Sequence, residues 1–479
     1  MAFDLRELIG GGAPAGVRIS GITADSRKAE AGFAFFAIAG AKADGAKYAK
    51  DAAARGAVAV IGEGERPADI SPQTIYVRVP DVRRALALCA AKLFPGQPGT
   101  IVAVTGTNGK TSVASFVRQI WSALGKQAAS VGTIGLVSPS GETAGSLTTP
   151  DPVALHQLLD RLAREGVTHM AMEASSHGLD QRRLDGVKLS AGAFTNLTRD
   201  HLDYHATLED YRAAKMRLFE TLLPAGAAAV ADMDEEGAEG VATIAKQRGL
   251  RFFGVGRAGN DLKLLSATID GFAQRLEVQV EGKKHSLKLP LVGGFQISNA
   301  LVATGLAIAT GGEPKAVLAT LENLKGAAGR LELAGSKDGA PIFIDYAHTP
   351  DALEKALAAL RPYVRGSLVV VFGAGGDRDP GKRPLMGAAA AKGADRVIVT
   401  DDNPRSEDPS AIRAAILQSA PGAAEIGDRT QAIHDAVASL KSGDVLLVAG
   451  KGHETGQILR DRTLPYTDHA AVKAALEGK

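Results

Sequence analysis

The chain has 479 residues, which is enough for about three domains of ordinary size. Hydrophobic residues make up 45% of it and charged residues 23%, a globular balance that excludes a disordered chain and a small disulfide scaffold. The 55 Lys and Arg against 53 Asp and Glu give a net charge of +2, so bulk charge predicts neither a nucleic-acid-binding nor a membrane-surface protein.

Cysteine usage and the N-terminal segment indicate the cellular location. Cys89 is the only cysteine, which rules out an intrachain disulfide and a cysteine-based zinc site. Residues 1–7 lack the basic start and the apolar run of a signal peptide, and no apolar stretch approaches the ~20 residues of a spanning helix. We therefore expect a soluble, cytoplasmic protein.

Residues 1–97 carry several short apolar segments, and four Pro and Gly breakers then interrupt the pattern at 95–99. This composition predicts a linker and a first domain over 1–97.

The next region begins with a buried-strand run at 101–104, followed by a glycine-rich loop and a helical stripe of apolar residues over 113–124. Three further apolar runs, separated by helical stretches, end at Glu173, Asn196 and Asp232. This alternation predicts a parallel α/β sheet in a second domain over 98–328.

A third domain is predicted over 329–479, after the small-residue segment at 326–329. Its helical patterns, such as the one at 353–360, alternate with predicted strands. Those strands cover 342–344, 368–372, 397–399 and 445–448. This order predicts another doubly wound domain.

The loop between the first strand and helix of the second domain reads Thr-Gly-Thr-Asn-Gly-Lys-Thr over 105–111. Glycines allow backbone N–H groups to approach a phosphate, a helix N-terminus follows, and Lys110 adds a positive charge. The hydroxyl of Thr111 is suited to a bound Mg²⁺. The spacing differs from Walker A, which places glycine where Val104 stands, so an ordinary glycine-rich turn stays open as an alternative.

Three further side chains are candidates for chemistry in this domain. Glu173 ends a predicted strand, where a carboxylate can reach a metal over the nucleotide or can cap the next loop. His201 follows another strand and, taken alone, is typical of a helix-cap or surface histidine. Lys215 lies in a helical segment, and its sequence surroundings predict a solvated surface lysine.

Polar clusters follow three predicted strands of the last domain, at 373–379, 402–405 and 450–454. The carboxyl ends of parallel strands share one sheet edge, so the clusters can converge on one ligand. Arginines suit carboxylates, whereas Asp402 and Glu454 can meet ammonium groups. The sequence therefore predicts a ligand with both charges, such as an amino acid, with loop capping as the alternative.

Taken together, these motifs resemble the Mur ligases, the ATP-dependent amide-forming enzymes of peptidoglycan synthesis. The resemblance covers nearly the whole chain, and within the family it is to the branch that adds meso-2,6-diaminopimelate. It is carried by Asp25-Ser26-Arg27, Gly106 to Thr111, Leu147-Thr148-Thr149-Pro150, Glu173 to Gln181, Asp200-His201-Leu202-Asp203, Lys215, Asp345 to Pro350, and Asp402 to Arg405.

The resemblance implies an α/β protein of three domains. These are a small N-terminal α/β domain that binds a UDP-sugar (1–97), a central P-loop-type parallel-sheet ATPase domain (98–328) and a C-terminal Rossmann-like domain that binds an amino acid (329–479). The implied substrates are ATP, UDP-N-acetylmuramoyl-L-alanyl-D-glutamate and meso-2,6-diaminopimelate, with Mg²⁺ as the cofactor. A cytoplasmic monomer without nucleic-acid or membrane partners is expected.

Site residues are implied by the resemblance in four groups. The ATP group is Gly106, Thr107, Asn108, Gly109, Lys110, Thr111, Asn299, Arg330 and Asp345. The sugar-peptide group is Ser26, Ala41, Lys42, Ala43, Thr148, Thr149, Ser175, Gln181 and Arg183. The amino-acid group is Arg378, Asp402, Asn403, Pro404, Arg405, Gly450 and Glu454. The catalytic group is Lys110, Glu173, His201 and Lys215, and the metal group is Thr111, Glu173, His201 and Lys215.

In this scheme Lys215 is carbamylated, which replaces the surface-lysine interpretation on family grounds alone. The family route implies attack of the D-glutamyl γ-carboxylate on the γ-phosphate of ATP, and then attack of the diaminopimelate amine on the acyl phosphate. The two α/β domains are expected to close over both substrates. Leu147 departs from the pattern, because relatives can carry a polar residue there that contacts the sugar-peptide.

Three alternatives stay open. A lysine-adding relative would have no use for Arg405, because lysine lacks the distal carboxylate. A folylpolyglutamate synthetase would not need the N-terminal sugar-binding domain. A nucleotide-switched regulator would bind ATP and a partner without releasing phosphate in response to both substrates.

Overall fold

The computed structural model describes residues 2–40, 44–145, 147–198, 200–201 and 203–478. The chain forms two compact units: unit 1 comprises 1–264, 279–282 and 301–317, and unit 2 comprises 265–278, 283–300 and 318–479. Across the described ranges, no helix is both long enough and apolar enough to cross a membrane. The domain boundaries inferred from the sequence stay predictions.

Unit 1 begins with a small α/β region. Its strands are β1 (Phe3–Asp4), β2 (Arg18–Ile19), β3 (Gly21–Thr23), β4 (Phe33–Phe36), β5 (Ala59–Gly62) and β6 (Ile75–Arg78), and its helices are α1 (Leu5–Ile9), α2 (Ala49–Ala54) and α3 (Val82–Leu93). The last four strands form a parallel sheet in the order β3-β4-β5-β6. Cys89 of α3 packs in the core of this region, and burial raises the pKa of its thiol to about 12, so it acts as a small apolar residue.

The second part of unit 1 is built on a larger sheet. Its strands are β7 (Thr100–Thr105), β8 (Ala128–Gly132), β9 (Gly135–Ser138), β10 (Gly141–Thr143), β11 (His169–Glu173), β12 (Ala191–Phe194), β13 (Ala228–Asp232) and β14 (Arg251–Gly256). Its helices are α4 (Lys110–Ala123), α5 (Pro152–Arg164), α6 (Ser176–Asp180), α7 (Leu208–Arg217) and α8 (Ala238–Arg248). The strand order is β10-β9-β8-β11-β7-β12-β13-β14, parallel from β8 through β14 and antiparallel at β9 and β10.

The structure confirms the predicted strand before the glycine loop, the helix after it, and the strand ends at Glu173 and Asp232. The prediction that the next run extends to Asn196 is wrong, because the strand ends at Phe194. Thr195 and Asn196 bond to the glycine loop instead: the Thr195 hydroxyl donates to the Asn108 carbonyl, and the Asn196 carbonyl accepts from the Thr107 N–H.

Five elements follow in a stretch that alternates between the two units. They are β15 (Leu262–Asp270), β16 (Ala273–Val280), β17 (Lys283–Leu289), α9 (Gly294–Ala309) and α10 (Pro314–Thr320). The first residues of β15 pair in parallel with β14 inside unit 1.

Unit 2 is completed by a doubly wound sheet, as predicted. Its strands are β18 (Glu332–Lys337), β19 (Ala340–Asp345), β20 (Leu368–Phe372), β21 (Arg396–Val399), β22 (Ala424–Glu425), β23 (Val445–Ala449), β24 (Gly456–Ile458) and β25 (Thr463–Pro465). Its helices are α11 (Pro350–Leu360), α12 (Lys382–Gly393), α13 (Pro409–Leu417), α14 (Arg429–Ala438) and α15 (Asp468–Glu477).

The main sheet of unit 2 has the order β18-β19-β23-β20-β21-β22 and is parallel apart from β18. Buried clusters cover both of its faces, which explains why the central strands read as continuous apolar runs. Because these strands are parallel, the loops that follow β19, β20, β21 and β23 all leave from one edge.

Candidate active site

The loop between β7 and α4 is shaped by two glycines with positive φ. Gly106 has φ 142°, and a Cβ there would collide with the Thr195 hydroxyl. Gly109 has φ 85° and caps α4, which begins at Lys110. The loop therefore ends on a helix N-terminus, where backbone N–H groups and the helix dipole favour an anion such as phosphate.

Lys110 is folded over this loop. Its ammonium donates to the carbonyl oxygens of Gly106 at 3.0 Å and Thr107 at 2.8 Å. Thr107 ties the loop to the segment after β12, because its hydroxyl donates to the Thr198 carbonyl at 3.2 Å. The predicted phosphate-loop lysine is thus held beside the backbone that would cradle a phosphate.

Lys215 is buried, with 1% of its surface exposed, so the surface lysine predicted from its sequence surroundings is wrong. Its Nζ lies 4.1 Å from the centroid of the Tyr211 ring and donates to the Gly106 carbonyl at 2.7 Å. Burial, with a smaller contribution from the Lys110 ammonium, lowers the pKa of Lys215 to about 6. The physical reason is that α7 packs its Tyr211 and Lys215 face inward, toward the glycine loop.

Glu173 is the last residue of β11 and is 1% exposed. Its Oε1 accepts from the Thr133 backbone N–H at 2.7 Å, and its Oε2 accepts from the Thr133 hydroxyl at 3.2 Å. The Thr133 hydroxyl also lies 3.0 Å from the Thr148 hydroxyl. The carboxylate therefore lies at the sheet edge among polar groups.

Four other predicted sugar-peptide residues meet next to Glu173. The Thr149 hydroxyl donates to the Glu173 carbonyl at 2.9 Å and lies 3.0 Å from the Ser175 hydroxyl. Arg183 donates to the Thr149 carbonyl at 2.6 Å and to the Gln181 side-chain oxygen at 2.8 Å. The structure thus gathers residues from the β10–α5 loop and from the start and end of α6.

The remaining predicted sugar-peptide residues lie elsewhere or outside the described part. Ser26 opens a short 3₁₀ turn that Asp25 caps, and within the described ranges it makes no hydrogen bond to the Thr149 group. Ala41, Lys42 and Ala43 lie outside the described residues. Leu147 has 44% of its surface exposed, so its side chain is available to a ligand without offering a polar contact.

His201 lies in a turn after β12, with φ 53° and a half-exposed side chain. Its ring centroid is 5.0 Å from that of His177 and 6.0 Å from that of Tyr211. His205 joins the group at 5.3 Å from Tyr211, and burial lowers the pKa of both His177 and His205. Tyr211 therefore lies next to both His201 and Lys215, an arrangement that the sequence did not predict.

In unit 2, the predicted nucleotide contacts Asn299, Arg330 and Asp345 fall in one network. Asn299 donates to the Gln296 side-chain oxygen at 3.1 Å, and Gln296 donates to the Arg330 carbonyl at 3.2 Å. Asp345 accepts backbone N–H groups of Leu331 and Ala347 at 2.7 and 2.8 Å. Burial raises the pKa of Asp345, and the Arg330 guanidinium opposes that rise.

Aromatic residues to which the sequence assigned no role surround this network. The Tyr346 ring lies 4.5 Å from His348, 5.1 Å from His453 and 5.0 Å from the Arg330 guanidinium. Within the described ranges, the buried Nε of Arg330 and Nδ1 of His453 have no hydrogen-bond partner. The available signal was that these aromatic and histidine residues lie in two segments with predicted roles, the motif at 345–350 and the polar cluster at 450–454.

The loops after β20, β21 and β23 converge, as predicted. Asn403 donates to Glu454 Oε2 at 2.8 Å. Gly450 has φ 114°, and a Cβ there would lie 2.7 Å from Asp402 Oδ2, so only glycine lets these loops approach so closely. One sheet edge therefore presents the carboxylates of Asp402 and Glu454 together with the amide of Asn403.

Arg405 is anchored at this edge by one nitrogen. Its Nη1 donates to the Gly376 carbonyl at 2.8 Å, while its Nε and Nη2 make no hydrogen bond in the part of the chain that the structure describes. Its backbone has φ 52°, a conformation that non-glycine residues adopt at some energetic cost. Pro404 is buried beside it, whereas Arg378 is exposed and without a hydrogen-bond partner among the described residues.

Comparison with known proteins gives three family matches along the chain. Residues 18–93 match the Mur ligase family catalytic domain, residues 104–307 the Mur ligase middle domain, and residues 329–452 the Mur ligase glutamate ligase domain. A UDP-N-acetylmuramoyl-L-alanyl-D-glutamate–2,6-diaminopimelate ligase of Bradyrhizobium diazoefficiens is 57% identical over 486 residues, covering 100% of both chains. The protein of the same name from Mesorhizobium japonicum is 58% identical over 480 residues, covering 99% of each.

The chain belongs to the Mur ligase family. A solved UDP-N-acetylmuramoyl-L-alanyl-D-glutamate–2,6-diaminopimelate ligase matches with 33% identity and a TM-score of 0.75, over 100% of this chain and 99% of that one. A folylpolyglutamate synthase of Thermotoga maritima shares the fold at 20% identity, with a TM-score of 0.62 over 77% of this chain and 89% of that one. The Mur ligase thus has the three-domain α/β fold of its family, with N-terminal, middle and C-terminal parallel sheets, which confirms the predicted fold class.

Proposed function

We propose that this Mur ligase is an ATP-dependent, amide-forming enzyme of peptidoglycan precursor synthesis. It joins the D-glutamyl γ-carboxylate of UDP-N-acetylmuramoyl-L-alanyl-D-glutamate to an amine of meso-2,6-diaminopimelate. The observation that carries this proposal is full-length identity of 57% and 58% with relatives that bear the corresponding name.

The chemistry explains why ATP is needed. A free carboxylate in water does not form an amide, because its oxygen is a poor leaving group. Attack of the γ-carboxylate on the γ-phosphate gives an acyl phosphate and ADP. The amine then forms the C–N bond, phosphate leaves, and one proton is lost from the ammonium that results.

Unit 1 carries the residues that we assign to phosphoryl transfer. Lys110 and the N–H groups of the loop at 106–111 would meet the β- and γ-phosphates, since they surround a helix N-terminus. We assign His201 to the same step, as a catalytic and metal-binding residue. Its ring and the Lys215 Nζ both lie next to the Tyr211 ring.

We propose that Lys215 is carbamylated. Its Nζ is buried, and the low pKa of about 6 leaves most of it as neutral amine at neutral pH, the form that attacks CO₂. The nitrogen forms a bond to the carbon of CO₂, one proton leaves, and the product carries one negative charge. This modification would convert a neutral amine beside Lys110 into an anionic oxygen ligand.

The residues present fit Mg²⁺. Mg²⁺ takes oxygen ligands, commonly one or two carboxylates plus the phosphates of its substrate, and the buried Glu173 carboxylate and the Thr111 hydroxyl are such donors. A carbamylated Lys215 would add a third, with His201 nearby. Among the described residues, no three His, Cys, Asp or Glu side chains are grouped so as to hold a metal by themselves. Bound Mg²⁺ would offset negative charge on the transferred phosphoryl group.

The other site residues are assigned by where they cluster. Thr148, Thr149, Ser175, Gln181 and Arg183 would hold the muramoyl-peptide arm next to Glu173, with Ser26 and residues 41–43 at the UDP-sugar. Asn299, Arg330 and Asp345 would contact the nucleotide. The loops with Arg378, Asp402, Asn403, Pro404, Arg405, Gly450 and Glu454 would bind diaminopimelate.

The experiment measures phosphate release from ATP with the UDP-muramoyl dipeptide and one amino acid at a time. We expect release that depends on both the dipeptide and meso-diaminopimelate, and that disappears with EDTA and returns with Mg²⁺. Release with L-lysine instead would identify a lysine-adding enzyme, and ATP binding without release would indicate a nucleotide-switched regulator. Lys110→Ala, folded as judged by circular dichroism, is the inactive control.

We also propose a monomer in the cytoplasm, where ATP and nucleotide-linked precursors are available. Sedimentation equilibrium and cell fractionation test these two points directly.

A further inference from the structure

Lys451 is a buried lysine that the proposed reaction does not use. It follows β23, its side chain is 0% exposed, and its Nζ donates to Asn403 Oδ1 at 2.8 Å and to Glu454 Oε2 at 3.0 Å. A buried ammonium is strongly unfavourable unless it is paired and hydrogen-bonded. Lys451 is therefore kept in place by two residues that we assign to the amino-acid substrate.

Lys451 also determines the orientation of the Asn403 amide. An ammonium can only donate, so the atom of the amide that faces it is the oxygen. That oxygen also accepts the Ile458 backbone N–H at 2.9 Å, and the amide nitrogen donates to Glu454 Oε2. One N–H of Asn403 is left over, and a flipped amide would direct Nδ2 at two other donors.

The two oxygens of the Glu454 carboxylate also differ in their partners. Its Oε2 accepts from both Lys451 and Asn403, whereas its Oε1 has no hydrogen-bond partner among the described residues. The Glu454 side chain is 30% exposed, so one carboxylate oxygen is committed inward and the carboxylate still reaches solvent. Glu454 thus offers an anionic acceptor and Asn403 a neutral donor. An amino acid, which has an ammonium and a carboxylate on one carbon, needs one of each.

The backbone that carries Lys451 is closely packed. Gly450 and Gly452 have φ of 114° and 55°, and a Cβ at Gly452 would lie 2.7 Å from the Cβ of Tyr346. The fully buried pair Arg429–Asp468 braces the end of β23, because Arg429 also donates to the Ala449 carbonyl at 2.9 Å. The packing around this backbone therefore constrains where the Lys451 side chain begins.

We propose that Lys451 is a positioning residue for the amino-acid substrate. It aims Glu454 Oε1 at the substrate ammonium and the remaining Asn403 N–H at the substrate carboxylate, without touching the substrate itself. The inference deepens the proposed function and rests on it, since it names the ligand by the diaminopimelate assignment.

Lys451→Met tests the inference in the full-length enzyme, because methionine has an unbranched side chain of similar length that carries no charge. We expect KM for meso-diaminopimelate to rise about 10-fold or more, as for loss of a hydrogen-bonded charged group. KM for ATP and KM for the UDP-muramoyl dipeptide should stay within about twofold, since those sites use other residues. Lys473→Met, an exposed lysine on α15, is the matched control and should match the wild type.

A double-mutant cycle with Glu454→Gln separates positioning from general damage to the fold. If Lys451 acts through Glu454, the double variant should lose little more than Glu454→Gln alone, whereas a purely structural role predicts losses that multiply. Lys451→Gln is measured in parallel, so that poor folding of Lys451→Met does not decide the result. The concentration of folded enzyme in each variant is determined by titrating its ATP-binding sites.

An unchanged KM for diaminopimelate in both Lys451 variants, or multiplying losses in the cycle, would overturn the inference. So would equal rises in all three KM values. If the wild type releases no phosphate with diaminopimelate, the proposed function itself is wrong and the inference falls with it. The two failures are therefore distinguished by the wild-type assay.

Discussion

The two buried lysines of this Mur ligase, Lys215 in unit 1 and Lys451 in unit 2, have opposite surroundings. Lys215 meets a ring face and one carbonyl oxygen, and no carboxylate pairs with it in the described ranges. Lys451 meets the Glu454 carboxylate and the Asn403 amide oxygen. Both are almost completely hidden from solvent, at 1% and 0% exposed.

The difference shows that burial alone does not decide what a lysine does. Burial, with a smaller contribution from the Lys110 ammonium and against the opposing charge of Asp200, lowers the pKa of Lys215 to about 6, so at neutral pH it is mainly a neutral, nucleophilic amine. A carboxylate partner makes Lys451 one half of an ion pair, which is suited to hold neighbours in place. The same residue type is therefore suited to the covalent modification that we propose in unit 1 and to the positioning role that we propose in unit 2.

The largest expected effect is on Lys215, because its modified form would contribute to phosphoryl transfer. Lys215→Ala should lower kcat by about 10³-fold, the scale for losing a group that stabilises a charged transition state. Short carboxylic acids such as acetate should restore part of the rate by occupying the vacated volume. Steady-state phosphate release checks both points.

The exposed Lys246 on α8 provides the control, because Lys246→Ala removes a lysine of the same unit without touching the loop. A ¹³C signal of a carbamate should appear in the wild type under ¹³CO₂ and be absent from Lys215→Ala. Normal turnover of Lys215→Ala would mean that the neutral amine has no catalytic use.

The next prediction concerns Arg405 in unit 2, which we propose selects the amino-acid substrate by pairing with its distal carboxylate. Arg405→Ala should reduce kcat/KM for meso-diaminopimelate far more than for L-lysine, because only diaminopimelate has the distal carboxylate. The ratio of the two constants should narrow by roughly 10- to 100-fold, equivalent to about 1.5 to 3 kcal/mol. The measurement is both constants in the wild type and the variant.

The exposed Arg462 gives a control, since Arg462→Ala should leave the ratio unchanged. An unchanged ratio in Arg405→Ala would place the selecting group elsewhere, with Arg378 as the next candidate.

Much of the fold could be predicted because its signals are local. The buried strands of both sheets are continuous apolar runs, and the glycine loop is recognisable from its residues and its place between a strand and a helix. Convergence of the loops after β20, β21 and β23 followed from the geometry of parallel strands.

The burial of Lys215 could not be predicted from local pattern. Lysine counts as polar in any hydropathy pattern, so the inward face of α7 depends on packing against the glycine loop, a contact 109 positions away in sequence. Only the family resemblance indicated a role for it. The burial of Lys451 could not be predicted for the same reason. The proximity of Tyr211 to His201 and Lys215 depends on tertiary structure alone.

The third prediction concerns the pH dependence of the free energy of unfolding, which should differ between the two buried lysines. Between about pH 6 and 10.5 the unfolded chain keeps a proton on Lys215 that the folded chain has lost, so stability rises with pH in that window and is flat below it. Relative to Lys215→Met, the wild type should gain about 1.4 kcal/mol of unfolding free energy per pH unit. Urea melts between about pH 6.5 and 8.5 in CO₂-free buffer measure this slope.

Lys451→Met supplies the comparison in the same melts. It removes a paired ammonium and leaves Glu454 with one partner fewer, so we expect destabilisation at every pH tested. Parallel curves for the wild type and Lys215→Met would show that Lys215 is protonated in the folded protein.

The smallest expected effect concerns Tyr211, whose ring centroid lies 4.1 Å from the Lys215 Nζ. Its hydroxyl donates to the Thr107 hydroxyl oxygen at 3.2 Å, and burial raises the pKa of Tyr211 to about 12, so it stays a neutral phenol. Tyr211→Phe removes that hydrogen bond from the phosphate loop but keeps the ring under the Lys215 Nζ. We expect KM for ATP to rise about two- to tenfold with little change in kcat.

Tyr211→Leu removes the ring as well and is the informative partner of Tyr211→Phe. The ring, whose centroid lies 4.1 Å from the Lys215 Nζ, helps to bury that nitrogen, and burial is the main cause of its low pKa. Without the ring more of Lys215 should be protonated, so kcat and the carbamate signal should fall in addition to the change in KM. If the ring matters only for packing, both variants should lose thermal stability while their carbamate signals stay equal. A kcat loss in Tyr211→Phe as large as that in Tyr211→Leu would assign the effect to the hydroxyl and the phosphate loop, and would remove the ring from the account of how Lys215 is kept reactive.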